Sequence, residues 1–241
     1  MKKYELTEEM IEWFGRTLYR IRACKDFETI NGTMVQKGDL GGFIEKEDNL
    51  SQEGRSWVGD NAKVCDNAQV YDCAFVYDDA LVYGHALVCG HAEVCDDAKV
   101  CGYAKVYDDA KVYDDTQVYG HALVCGYAKV YDDAKVYDDA KVYDDTQVYG
   151  HALVCGHALV YGHALVCGHA EVCDDALVYD YAQVCGHALV CGHALVCGYA
   201  KVYGHAEVCD DAKVCGNALV CDNAFVHGNT LVRDNVHIES V

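Results

Sequence analysis

Cysteine and histidine recur two residues apart in this chain, as Cys89/His91, Cys155/His157, Cys167/His169 and Cys191/His193, each time around a glycine. Both side chains ligate soft and borderline metals, and a histidine beside a bound substrate is a common base for acyl transfer. Metal capture and group transfer are therefore the chemistries to weigh. Sixteen cysteines and twelve histidines are abundant in 241 residues, but fourteen of the cysteines fall in one slot of a six-residue repeat whose alternative is tyrosine. Tyr and Cys codons differ by a single base, as do Asp and Gly in the next slot and Asp, His, Asn and Tyr in the one after. Cysteine there reads as drifted tyrosine, and no histidine trio stands apart from the rest.

The repeat is what must position these groups. It runs Ala-x-Val-(Tyr/Cys)-(Asp/Gly)-(Asp/His/Asn/Tyr) thirty times from Ala62 to Val241 without an inserted residue. Positions one and three, small then valine, alternate with polar or aromatic positions two and four, which is the pattern of a short strand with one buried face. Positions five and six hold residues that tolerate left-handed backbone and make a corner. Each hexad is thus one side of a coil, with alanine leaving room only for a narrow core. A short fixed period of this kind marks a solenoid whose units supply each other's core.

The order small-x-aliphatic-x-x-(Asn/Asp/His) resembles the hexapeptide repeats of left-handed parallel β-helices. The stretch AKVCGNALVCDNA (212–224) resembles the V-x-G-N-A variant of bacterial and prophage repeat proteins, and KGDLGGFIEKEDNLSQEGRSWVGDNA (37–62) resembles the lead-in segment of that group. The resemblance spans about Leu18 to Val241. It implies an all-β fold of three hexads per coil and about ten coils, near 48 Å of rod at the usual strand spacing of roughly 4.8 Å. It also implies two enzymatic precedents, acyltransferases and zinc enzymes of the γ-carbonic anhydrase type. An acyltransferase needs an enclosed pocket, which a smooth prism lacks within one subunit, so no catalytic residue is assigned and acyl transfer stands as the alternative reading.

Residues 1–55 are expected to cap the open end of the core, and 56–241 to form the solenoid. Within the cap, LTEEMIEWFG (6–15) suits a short helix with Thr7 as N-cap. LYRIRA (18–23) alternates as a strand, and Val35, Leu40, Phe43, Ile44 and Leu50 suit an irregular first coil. In the last three hexads position four becomes His227, Arg233 and Glu239, charges that read as gatekeepers against end-to-end stacking.

With three sides, residues 18 apart stack. Leu159, Leu177 and Leu195 then line one face beside Tyr161, Tyr179 and Cys197, an apolar stripe of the kind that marks an interface. Cys155, Cys173, Cys191 and Cys209 line another face, and His151, His169, His187 and His205 one corner. Cys167, His169, Cys185 and His187 form the sharpest soft-metal candidate, although no cofactor or functional metal is expected. The stretch at 104–126 is copied at 134–156, an offset of five hexads that moves the copy to a different face. Tolerance of that shift tells against one finely placed catalytic site.

Net charge is −20, and residues 56–241 carry 10 basic against 28 acidic residues. An acidic surface of this kind disfavours nucleic acid and anionic membrane and favours a protein partner or self-association, with a homo-oligomer as one form. The same charge leaves an acidic DNA mimic, or a soft-metal array, as further alternatives. Ice binding is disfavoured because Thr116, Thr146 and Thr230 take the inward position one. No segment approaches about 20 consecutive apolar residues, and the charged N-terminus lacks a signal-peptide pattern, so a cytoplasmic protein with mostly free thiols is expected.

Overall fold

Alternation over four residues followed by a two-residue corner gives each hexad a strand of two residues. In the computed structural model, which describes residues 2–239, such strands run from Trp57–Val58 to His237–Ile238. Met1, Ser240 and Val241, the last two belonging to the final hexad, lie outside the described residues. The strands pair in parallel with a register of 18 residues, as in Leu81↔Lys99 and Leu159↔Leu177. The fold is a parallel β-solenoid with three strands per coil.

The chain forms two compact units, Met1–Gly120 and His121–Val241. In the first, one ladder runs Leu40–Ile44, Lys63–Val64, Leu81–Val82, Lys99–Val100, Gln117–Val118. A second ladder there begins at Gln69–Val70 and a third at Trp57–Val58. In the second unit the ladders begin at Lys135–Val136, Leu123–Val124 and Lys129–Val130. Counted over both units there are about eleven coils. The coil beyond the ten expected arises because Leu40–Val58 builds one ahead of the regular hexads.

The core consists of the alanines and valines of positions one and three, nearly all with no exposed surface. Where threonine replaces alanine its hydroxyl is satisfied locally: Thr146 Oγ1 donates to the Tyr143 carbonyl at 2.7 Å. This confirms the inward placement of Thr146, and Thr116 is equally buried, whereas Thr230, also expected inward, is exposed although its hydroxyl makes the same bond, to the His227 carbonyl at 2.6 Å.

Position five explains the alternation of aspartate with glycine. Its backbone is left-handed with either residue, φ being 59° at Asp174 and 65° at Gly192. A Cβ on Gly192 would lie 2.9 Å from the Asp210 nitrogen, so glycine relieves crowding there. Aspartate instead offsets the strain with a bond to the next coil: Asp174 Oδ2 accepts from Gly192 N–H at 3.1 Å, and Asp210 Oδ2 from Gly228 N–H at 3.0 Å. One corner of the second unit therefore reads Asp138, Gly156, Asp174, Gly192, Asp210, Gly228, which keeps carboxylates from stacking on one another.

The segment 6–15, expected to be helical, is a strand. β1 (Tyr4–Trp13) and β2 (Arg16–Ala23) form an antiparallel hairpin, and β2 pairs in turn with β5 (Leu40–Ile44), following the short hairpin of β3 (Phe27–Glu28) and β4 (Met34–Val35). The reason is the turn: Phe14 (φ 46°) and Gly15 (φ 76°) give the two positive φ values of a tight hairpin loop. Cross-strand ion pairs reinforce it, Arg22 to Glu5 at 2.6 Å and Arg20 to Glu9 at 3.3 Å. Thr7 is no N-cap; its hydroxyl donates to the Arg20 carbonyl at 3.0 Å. The strand expected at 18–23 lies within β2. Of the expected first-coil residues, Val35, Phe43, Ile44 and Leu50 are buried and Leu40 is half-exposed.

The end of the core is closed by Lys3 and Tyr4. The Lys3 ammonium, fully buried, donates to the Ser56 carbonyl at 2.7 Å, Ser56 Oγ at 3.0 Å and the Glu53 carbonyl at 3.2 Å. Tyr4 donates to the Leu50 carbonyl at 2.7 Å.

Replacing Asp174 by alanine removes the bond to Gly192 and leaves a bare Cβ in left-handed backbone, a loss of about 1–2 kcal/mol. Glycine at 174 loses the bond but regains conformational ease, and asparagine keeps an acceptor. Urea midpoints are expected in the order wild type, Asp174→Asn, Asp174→Gly, Asp174→Ala; an alanine variant as stable as wild type would contradict this account of the corner.

Candidate functional site

Positions two and four point outward, so an 18-residue register converts the repeat into columns of like side chains. In the second unit Leu159, Leu177 and Leu195 stand in direct register on one face, each half-buried by its neighbours. Beside them the rings of Tyr143, Tyr161 and Tyr179 stack with centroids 5.0 Å apart. Cys197, the next in that column, is buried. Tyr179 shares a hydrogen bond with Cys197 that, with burial, holds its phenol above the usual range. Around the adjoining corner His163, Tyr181 and Tyr199 stack at 4.7 and 5.0 Å, and the two tyrosines are 48% and 59% exposed. The six residues singled out from the sequence thus share one face, and the corner tyrosines widen it.

The soft-metal candidate assembles differently from expectation. Cys167 and Cys185 lie on adjacent coils with Cα atoms 4.7 Å apart and are joined as a disulfide. Their sulfurs are spent on one another. His169 and His187 stack face to face at 4.7 Å, within the column His151, His169, His187, His205. Imidazole lone pairs lie in the ring plane, so parallel stacked rings do not converge on one ion. Fourteen of the sixteen cysteines are free, in line with the expectation of mostly free thiols; this pair is the exception, because in-register stacking brings cysteines 18 residues apart within bonding reach.

The other cysteine column is placed as read from the sequence. Cys191 Sγ lies 2.6 Å from Cys209 Sγ, and Cys155 and Cys173 share a hydrogen bond. That bond stabilises the Cys155 thiolate and lowers its pKa to about 7, while Cys173, holding the shared proton, is pushed up. The shared proton therefore favours ionisation of Cys155 near neutral pH.

Ten of the twelve histidines occupy corners, and all twelve are exposed. His205 lines an open groove of about 430 Å³ together with Glu207, Asn223, Ala224 and Phe225. A larger cleft of about 810 Å³ lies in the first unit beneath the tip of the β1–β2 hairpin. Trp13, Phe14, Leu81 and Tyr83 supply apolar walls, and Arg16, Lys63, Lys99, Asp66, Asp79 and Asp97 ring it with charge. Lys63 Nζ sits 4.9 Å over the Trp13 ring, and Arg16 pairs with Asp66. Reading 6–15 as a helix hid this cleft. The signals were the Phe-Gly turn and the Glu/Arg residues facing each other across it.

No family model matches the chain, and no curated protein matches it. Among the described residues no helix is long and apolar enough to cross a membrane.

Stacked thiols and phenols set the alkaline limit of stability. Burial pushes Cys65 up to about 11 and Cys95, Cys209 and Cys215 up to about 12, and a hydrogen bond with Cys89 raises Tyr71 to about 12. The unfolded chain releases these protons first, from about pH 8.5 for thiols and about pH 10 for phenols. Between those values and about pH 12 it therefore holds fewer protons than the folded chain, and stability falls as pH rises. Denaturant midpoints of reduced protein are expected to decline steadily from pH 8.5 to 11; a flat or rising profile would refute the burial of these groups. At pH 7.5, brief iodoacetamide treatment should label Cys155 well ahead of Cys65 and Cys95 by peptide mapping, and equal labelling would show that Cys155 is not acidified.

Proposed function

We propose that the chain is a non-enzymatic binding scaffold of the hexapeptide-repeat, left-handed β-helix kind, and that its second unit docks a protein partner on the face of Leu159, Leu177 and Leu195. The observation that carries this reading is the set of adjoining columns: three leucines in register, three tyrosines stacked at 5.0 Å, and the exposed corner pair Tyr181 and Tyr199. Aromatic and aliphatic side chains grouped in this way supply contact area with little rotamer entropy to lose, because each ring is already held by its neighbours. A surface of this sort is enriched at interfaces.

The chemistry of the partner follows from the rim. Asp144, Asp145 and Asp180 border the columns, and the chain carries a net charge of −20. A partner that presents an apolar centre flanked by lysine or arginine is complementary, whereas a second copy of the chain meets like charge. Nucleic acid and anionic membrane are disfavoured by the same field. Fourteen free cysteines support a cytoplasmic setting, where thiols stay reduced.

The test compares wild type with Leu159→Glu/Leu177→Glu/Leu195→Glu, outward changes that leave the Ala/Val core intact. Affinity capture from lysate, followed by reconstitution with the purified captured protein, is expected to give a basic partner whose affinity falls at least tenfold in the variant. Equal affinity of the two proteins would sink the docking face. A wild type that light scattering shows as an oligomer, and a variant that it shows as monomer, would replace the basic partner with a second copy.

A further inference from the structure

The last hexad departs from the repeat in two outward positions at once. Histidine occupies position two nowhere else among the thirty hexads, and glutamate occupies position four nowhere else. As a sequence feature, Glu239 is one of several terminal gatekeeper charges. The structure gives these residues a more specific setting.

The strand His237–Ile238 pairs in parallel with Leu219–Val220, so that His237 lies beside Leu219, and Cys221 N–H donates to the Ile238 carbonyl at 3.0 Å. His237 on the strand and Glu239 just past its end, two residues apart, point to the same side, and Cys221 joins them from the coil below. Cys221 Sγ is 3.1 Å from His237 Nε2, which is 3.8 Å from Glu239 Oε2, and the three ligand atoms all lie within 4.8 Å of one another. Asp222 Oδ2 stands 3.8 Å from the same sulfur.

We propose that Cys221, His237 and Glu239 bind one zinc-class divalent ion that fastens the final strand of the solenoid to the coil beneath it. Sulfur and nitrogen donors at roughly 2.0–2.3 Å from a tetrahedral ion are separated by roughly 3.3–3.7 Å, close to the spacing already present. One thiolate, one imidazole and one carboxylate form a mixed donor set that suits zinc better than the harder calcium and magnesium or the softer copper(I). His237 and Glu239 have side chains about half exposed, 48% and 59%, which leaves room for water or Asp222 in the fourth position. Cys221 is 3% exposed and so ties the ion to the body of the fold. Without a cation the thiol is held in its protonated form, by burial and by the carboxylates of Asp222 and Glu239; an ion there reverses that balance and releases the proton on binding.

The site also has a structural use. Val236, which opens the same hexad, is 48% exposed. An ion bridging two coils adds a fastening beside this thinly covered stretch of the core.

The test uses the full chain, reduced and stripped of metal, with zinc titrated in competition with a chromophoric chelator. Wild type is compared with His237→Gln, a half-exposed substitution that leaves the fold intact, and with Cys221→Ser and Glu239→Gln. Wild type is expected to bind one equivalent that each variant loses or binds at least tenfold more weakly. Zinc should also slow backbone amide exchange across 219–239 in wild type and leave it unchanged in His237→Gln. Zinc taken up by thiols elsewhere appears as binding common to all four proteins. Unchanged stoichiometry and affinity in His237→Gln, or exchange at 219–239 that zinc does not slow in wild type, overturns the site.

Discussion

Backbone hydrogen bonds such as Leu159 N–H to the Ala176 carbonyl (2.9 Å) and Tyr161 N–H to the Val178 carbonyl (3.0 Å) hold successive coils at a single strand spacing. Everything outside the core must live at that distance from its own counterpart. Planar rings do so readily, which is why tyrosines and histidines stack at 4.7 to 5.0 Å. Carboxylates do not, and the second unit separates those at position five with glycines. The first unit is less strict: Asp60, Asp78 and Asp96 follow one another at one corner, and Asp78 is raised by burial and by the neighbouring carboxylates.

Cysteine is the residue for which this spacing has chemical consequences. A thiol placed directly above another can share a proton with it, as Cys155 and Cys173 do, or bond to it, as Cys167 and Cys185 do. Tyrosine in the same slot stacks instead. A one-base change in the gene thus exchanges an inert aromatic contact for a titrating or oxidisable one, so the Tyr/Cys alternation is chemically consequential even where it arose by drift.

The coil architecture was legible because Ala and Val alternate with little room for another reading, and the threonines at 116 and 146 fit inward as their slot requires. The leucine face and the histidine corner followed once three hexads per coil were assumed. What escaped was set by local backbone rather than by period. In 6–15 the apolar residues Leu6, Met10, Ile11 and Trp13 satisfy a helical face as well as a strand, and only the positive φ of Phe14 and Gly15 decides between them. The cleft beneath Trp13 was hidden because it depends on the hairpin's reach; the 18-residue spacing did bring Cys167 and Cys185 together, and what it left open was whether the two thiols bond to each other or to an ion.

An 18-residue coil divided into three equal sides also makes the length of the repeat a quantised variable in evolution. Loss of one hexad between Leu159 and Leu177 would turn every later side chain through one face, scattering the leucines and setting Cys185 out of line with Cys167 while the Ala/Val core stayed whole. Loss of three would remove one coil and leave each column aligned. Slippage in the gene can therefore rewrite the entire surface downstream without threatening the fold, so a lineage carrying this repeat can sample new surfaces in single steps and preserve an established one only by gaining or losing whole coils.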